Sequence, residues 1–143
     1  MMTFNYVLNK IKNPDDIKDI KEAYEYANSK LSGVMRKNGD TEISHCLEVA
    51  NILIDLNVDK ETIICAILHS VLDFNDIAEK EIVEKFSLET YKIIFSLSKI
   101  NNLEMVDDSE SAALYLRKVM VGLSEDVRVL FIKLADRLHN MRT

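Results

Sequence analysis

Apolar residues recur along this chain at intervals of three and four, the spacing that brings side chains to one face of an α-helix. Phe4, Val7, Leu8 and Ile11 open the pattern and predict a helix over Phe4 to Lys12. Asn13-Pro14-Asp15 then breaks and restarts it, because asparagine caps a helix well and proline suits the first helical position, where an N–H has no partner to lose. Ile17, Ile20, Tyr24, Ala27 and Leu31 predict the next helix, ending near Gly33. A third is expected from Glu42 to Leu56, with His45, Val49, Ile52 and Leu56 on its apolar stripe. Asp59 is placed to cap a fourth, expected to run unbroken to about Phe74; its interior from Ile63 to Leu68 is apolar all round, the mark of a central helix. Asp76 or a neighbour caps a short charged helix with Ile77, Ile82, Val83 and Phe86 inward. Leu88 to Ile100 gives another, apolar at Tyr91, Ile94, Phe95, Leu97 and Ile100. The polar stretch from Asn101 to Ser109 reads as a loop and Ser111 to Leu123 as a helix, broken at Gly122-Leu123-Ser124 before the last helix begins near Val127.

That last helix carries a contradiction. Leu130, Phe131, Leu134, Ala135, Leu138 and Met141 form one broad apolar arc, expected to be buried, while Asp136, Asn140 and Thr143 share the other side with Val129 and Ile132. Asp136 therefore continues an apolar stripe. A carboxylate facing protein must be paired, hydrogen-bonded or bound to a cation, because desolvating it alone is prohibitive.

Composition agrees with helices. In 143 residues there are three glycines, one proline and no tryptophan, too little turn chemistry for a many-stranded sheet, and the 48% hydrophobic content suffices for the core of one all-α domain. A formal charge of −6 argues against general affinity for nucleic acid or anionic membrane, so an anionic ligand needs a local basic pocket. Cys46 and Cys65 lie within helical patterns without metal or redox spacing and read as reduced core residues. With no secretory leader and no apolar run of membrane-spanning length, the expected location is the cytoplasm.

The candidate chemistry comes from four separate segments. His45 and His69 both face the core, Asp136 faces it too, and Arg36-Lys37-Asn38 form a basic loop between Gly33 and Gly39. Each has an ordinary reading: a satisfied core histidine, a buried His69–Asp73 pair at the i+4 spacing, a solvated turn. Together they point to a metal or phosphate site, since mixed imidazole and carboxylate ligands suit a divalent transition metal.

The order Arg36-Lys37-Asn38-Gly39-Asp40, then His45, then Ala66-Ile67-Leu68-His69-Ser70, then KLADRLHNMRT from Lys133 to Thr143 resembles the hydrolase domain of the RelA/SpoT homologue family. The resemblance spans nearly the whole chain, and its last motif is highly specific. It implies an HD-type bundle of about 7–8 helices, a divalent ion, usually manganese, and removal of pyrophosphate from the 3′ position of the guanine alarmones ppGpp and pppGpp. It assigns His45, His69 and Asp136 as three of four metal ligands. Arg36, Lys37 and Asn38 fall in the loop that holds the guanine nucleotide, and Asn140 and Thr143 in its nucleoside pocket. It also implies a synthetase domain beyond Thr143, and further helices whose absence would favour homodimers through an exposed apolar face.

The match breaks at one place. Where the family has His-Asp followed three residues on by Glu-Asp, this chain has His69-Ser70 followed by Asp73-Phe74. Serine is a weak neutral ligand, so the metal site is expected to be weakened or empty, with Asp73 left as the candidate catalytic acid or as a replacement ligand. Three functions fit: an impaired alarmone hydrolase domain kept for a regulatory or structural purpose, a working hydrolase with altered ligation, and a helical module that binds guanine nucleotide or a partner without chemistry.

Overall fold

The computed structural model describes residues 2–104, without the side chains of 102–104, and residues 126–142. Eight helices and no strand occur among them: α1 (Phe4–Asn9), α2 (Pro14–Lys30), α3 (Glu42–Asp55), α4 (Lys60–Leu68), α5 (Val71–Phe74), α6 (Glu79–Lys85), α7 (Leu88–Glu104) and α8 (Val127–Arg142). The caps follow the sequence. The Asn13 side chain accepts from the Asp15 N–H with Pro14 behind it, Thr41 accepts from Ser44, and Asp59 accepts from Thr62.

Helix α4 is the axis of the molecule. Every residue from Thr62 to Leu68 is buried, and α4 packs against α2, α3, α7 and α8. A helix covered on so many sides must be apolar all round, which is what its composition announced. Helix α8 lies across α3, α4 and α7, so three helices converge on its inner face. Cys46 and Cys65 are buried free thiols, as expected. No helix among the described residues is long and apolar enough to cross a membrane.

Five expectations are corrected. The helix from Asp59 does not run through to Phe74: it stops at Leu68, and α5 starts at Val71. The cause is local competition for one carbonyl. Ala66 O accepts both the His69 N–H, at 3.4 Å, and the His69 ring Nδ1–H, at 2.6 Å, displacing the regular i+4 ladder. In α8, the broad apolar arc is not the buried face. Phe131, Leu134, Leu138 and Met141 are exposed, whereas Val129, Ile132, Lys133, Ala135, Asp136 and His139 are buried. Polar side chains that satisfy one another inside outweigh a simple count of apolar residues. Phe95 likewise lies half exposed on α7, which continues past Ile100 to Glu104 and takes in the start of the expected loop. Helix α6 begins at Glu79 behind Ala78 with no side-chain cap, so Asp76 does not cap it. The expected helix from Ser111 to Leu123 and its break at Gly122 lie outside the described residues.

Candidate metal centre

Asp136 sits at the meeting point of α3, α4 and α8. It is 7% exposed, and both carboxylate oxygens are engaged. His45 Nε2 donates to Oδ1 at 2.6 Å, His69 Nε2 stands 3.6 Å from the same oxygen, and Lys133 Nζ donates to Oδ2 at 3.1 Å. Burial alone would raise the Asp136 carboxyl, but the two histidines and the Lys133 charge outweigh it and hold the group far below the usual carboxylate range.

The histidines divide the work. Burial lowers His45 below its ordinary value, against the opposing pull of Asp136. For His69, burial acts in the same direction but is outweighed by Cys46 and Asp136, and the net shift is well upward. Of the two rings, His69 is the one whose charged form is favoured, opposite the Asp136 carboxylate, and His45 the one whose neutral form is. Each ring is fixed from behind. His69 Nδ1 donates to Ala66 O, which leaves Nε2 as its inward atom. His45 Nδ1 meets His139 Nδ1 at 2.7 Å, and because neutral His45 spends its proton on Asp136, His139 is the donor in that contact.

Among the described residues, His45, His69 and Asp136 are the one buried group whose ligand atoms all lie within 4.8 Å of one another. The donor set fits a divalent transition cation: two imidazole nitrogens and one carboxylate oxygen gathered within 4.8 Å, with the rings oriented by Ala66 O and His139. Holding a cation there requires His45 to carry its proton on Nδ1, where His139 then accepts instead of donating.

The basic loop closes beside this centre. Arg36 N–H donates to Asp40 O at 2.8 Å, Gly39 N–H to Arg36 O at 3.0 Å, and Gly39 supplies the positive φ of 93° that the turn needs. Arg36 then bridges the site: one guanidinium nitrogen donates to Glu42 Oε2 at 2.9 Å and another to Asn140 Oδ1 at 2.6 Å. Arg36 and Asn140 are therefore brought together from opposite ends of the sequence, and Lys37 and Asn38 stay exposed on the loop tip. Thr143 lies outside the described residues.

Asp73 is placed apart from the cluster. Its Oδ1 accepts from Ser98 at 2.7 Å and its Oδ2 from Asn101 at 3.2 Å, both on α7, while Phe74 is 51% exposed. Asn101 also accepts from Lys133 at 2.7 Å, so Asp73 reaches Asp136 only through a chain of hydrogen bonds. Ser70 is buried and donates to Glu42 Oε1 at 2.9 Å, with Cys46 Sγ at 3.6 Å.

Sequence reasoning missed five members of this network: Glu42, Ser98, Asn101, Lys133 and His139. His139 was detectable, since it follows Asp136 by three residues on the same helical face. Glu42 was not, because an acid in the first turn of a helix has an ordinary explanation in the helix dipole.

Comparison with known proteins places this geometry. Residues 23–143 match the HD domain family. The chain is 44% identical over 124 residues to the GTP pyrophosphokinase rsh of Brucella ovis, covering 87% of this chain and 16% of that protein. It is 33% identical over 141 residues to the bifunctional (p)ppGpp synthase/hydrolase SpoT of Escherichia coli, covering 99% of this chain and 20% of that one. The same figures hold for the guanosine-3′,5′-bis(diphosphate) 3′-pyrophosphohydrolase of Shigella flexneri. The chain thus spans a fifth or less of the length of these curated relatives. With the family match covering most of an all-helical chain that gathers two histidines and an aspartate in its core, the protein belongs to the HD domain family.

Proposed function

We propose that this chain is a guanosine-3′,5′-bis(diphosphate) 3′-pyrophosphohydrolase-like domain that binds a divalent metal, manganese by preference, and a guanine alarmone, but hydrolyses the alarmone slowly. The observation that carries the reading is the convergence of His45, His69 and Asp136 beside a loop whose Arg36 is tied to Asn140. His45, His69 and Asp136 would hold the ion, whose chemistry is activation of water and polarisation of a phosphoryl oxygen. Arg36 and Lys37 supply the positive charge that a chain of net charge −6 otherwise lacks for a polyphosphate. The hydrogen bond from Arg36 to Asn140 joins the basic loop to α8, the two elements that would line a nucleoside pocket.

Slow turnover follows from the acids. The position after Asp73 is occupied by the exposed Phe74, and Asp73 spends both oxygens on α7. No carboxylate from α5 is then free to orient the attacking water or take its proton, a contribution of roughly 10²–10⁴ in rate. Retained binding with lost chemistry suits a regulatory part of a longer alarmone synthetase/hydrolase. Calorimetry with ppGpp and Mn2+, run beside an assay of pyrophosphate release, tests this. Saturable binding with release at least about 100-fold slower than that of an HD hydrolase with intact acids is expected. Absence of ppGpp binding contradicts the proposal.

A further inference from the structure

Ser70 stands where the family resemblance places a carboxylate, and the structure puts another carboxylate against it. Glu42 is 6% exposed, an unusual degree of burial for a charged side chain, and it belongs to the first turn of α3, three residues before His45. From there its Oε1 accepts the Ser70 hydroxyl proton at 2.9 Å. Glu42 and His45 share a face of α3, and Ser70 adjoins His69 at the α4–α5 break. The two residues that meet at this hydrogen bond thus flank two of the three candidate ligands.

Electrostatics gives the contact a purpose. His45, His69 and Asp136 offer one negative charge to a dication, and Lys133 already draws on the Asp136 carboxylate at 3.1 Å. A buried dication held by so little charge is poorly compensated. A serine hydroxyl that donates to a carboxylate is a more electron-rich oxygen than a free hydroxyl, and the Glu42 carboxylate adds a negative charge at the residue next to His69. Resting on the function proposed above, we propose that Glu42 is the second carboxylate of the metal site, acting through the Ser70 hydroxyl in place of the aspartate the family carries at that position. Glu42 is a positioning and charge-compensating residue here; its Oε2 also holds Arg36 at 2.9 Å, so the same side chain links the metal site to the nucleotide loop.

The test is Mn2+ titration of the metal-free full chain, read by the spin resonance signal of the free ion. Glu42→Gln keeps the shape of the side chain and removes its charge; it should weaken Mn2+ binding about 10–100-fold. Adding Ser70→Asp to Glu42→Gln should restore binding to near the wild-type level. Glu42 also pairs with Arg36, so the comparison is repeated in an Arg36→Gln background, where that ion pair is already gone and the same weakening is expected. Circular dichroism identifies any variant that does not fold, and the Arg36→Gln pair then carries the comparison. If Glu42→Gln binds Mn2+ as the wild type does, or Ser70→Asp fails to restore what Glu42→Gln loses, the assignment is overturned and the proposed function stands. A wild-type chain without saturable Mn2+ binding overturns both.

Discussion

At the scale of the residue, His69 sets by its charge how the buried cluster responds to pH. Its folded-state pKa lies above the ordinary 6.5, so its proton contributes stability that is fully present below that pH and lost as pH rises through the folded value. Asp136 behaves oppositely: with a folded pKa far below 3.8, its contribution is present above that pH and lost as pH falls through the folded value. Urea unfolding in chelator should therefore show His69→Gln costing most at about pH 6 and less at higher pH. A cost independent of pH would show that His69 does not carry the proton. Because a metal must displace that proton, Mn2+ affinity should also rise with pH over the same range. Cys65 makes a second residue-scale prediction: burial pushes its thiol up to about 12, and Cys46 is equally hidden, so a thiol reagent at pH 8 should label neither in the native protein and both in denaturant. These residues differ in how legible they were. Asp136 declared itself because an acid on an apolar stripe demands a partner, whereas Glu42 and Lys133 occupy positions where charge is usual, and only the folded distances show them buried.

At the scale of the element, α8 shows where sequence patterning and structure part. Its two candidate faces differ in kind: one has more apolar residues, the other has fewer but carries Asp136, Lys133 and His139, which satisfy one another within the site. The second face is buried, so Ile132→Ala should cost about 2–5 kcal/mol and Leu134→Ala should stay within about 0.5 kcal/mol. Equal costs in thermal or urea unfolding would reverse the assignment of faces. Helices α2 and α4, by contrast, were legible to the residue at their starts, since Asn13-Pro14 and Asp59 have cap chemistry that no tertiary contact has to supply. The break after Leu68 was not legible. It depends on a histidine ring reaching back to Ala66 O, a side-chain choice that the helical period does not record.

Across the whole molecule, the fold brings residues separated by about a hundred positions into one polar centre inside an apolar bundle. His45 meets Asp136 and Arg36 meets Asn140, so the α3–α8 packing that stabilises the bundle is the same packing that assembles the site. The all-helical class followed from the period, which also turned His45, His69 and Asp136 toward the core; their assignment as candidate ligands came from the family resemblance. The placement of Asp73 on the α7 side followed from neither, because it depends on the helix break and on Ser98 and Asn101. In the proposed function binding is separate from chemistry: the residues that would hold ion and nucleotide are brought together, whereas Asp73 is tied to α7. Calorimetric titration of ppGpp in Mn2+, with pyrophosphate release followed in the same samples, tests that separation most directly. The expected result is saturable binding, abolished by His69→Ala in step with Mn2+ binding, and slow release; rapid release of pyrophosphate that His69→Ala abolishes would contradict the proposed function.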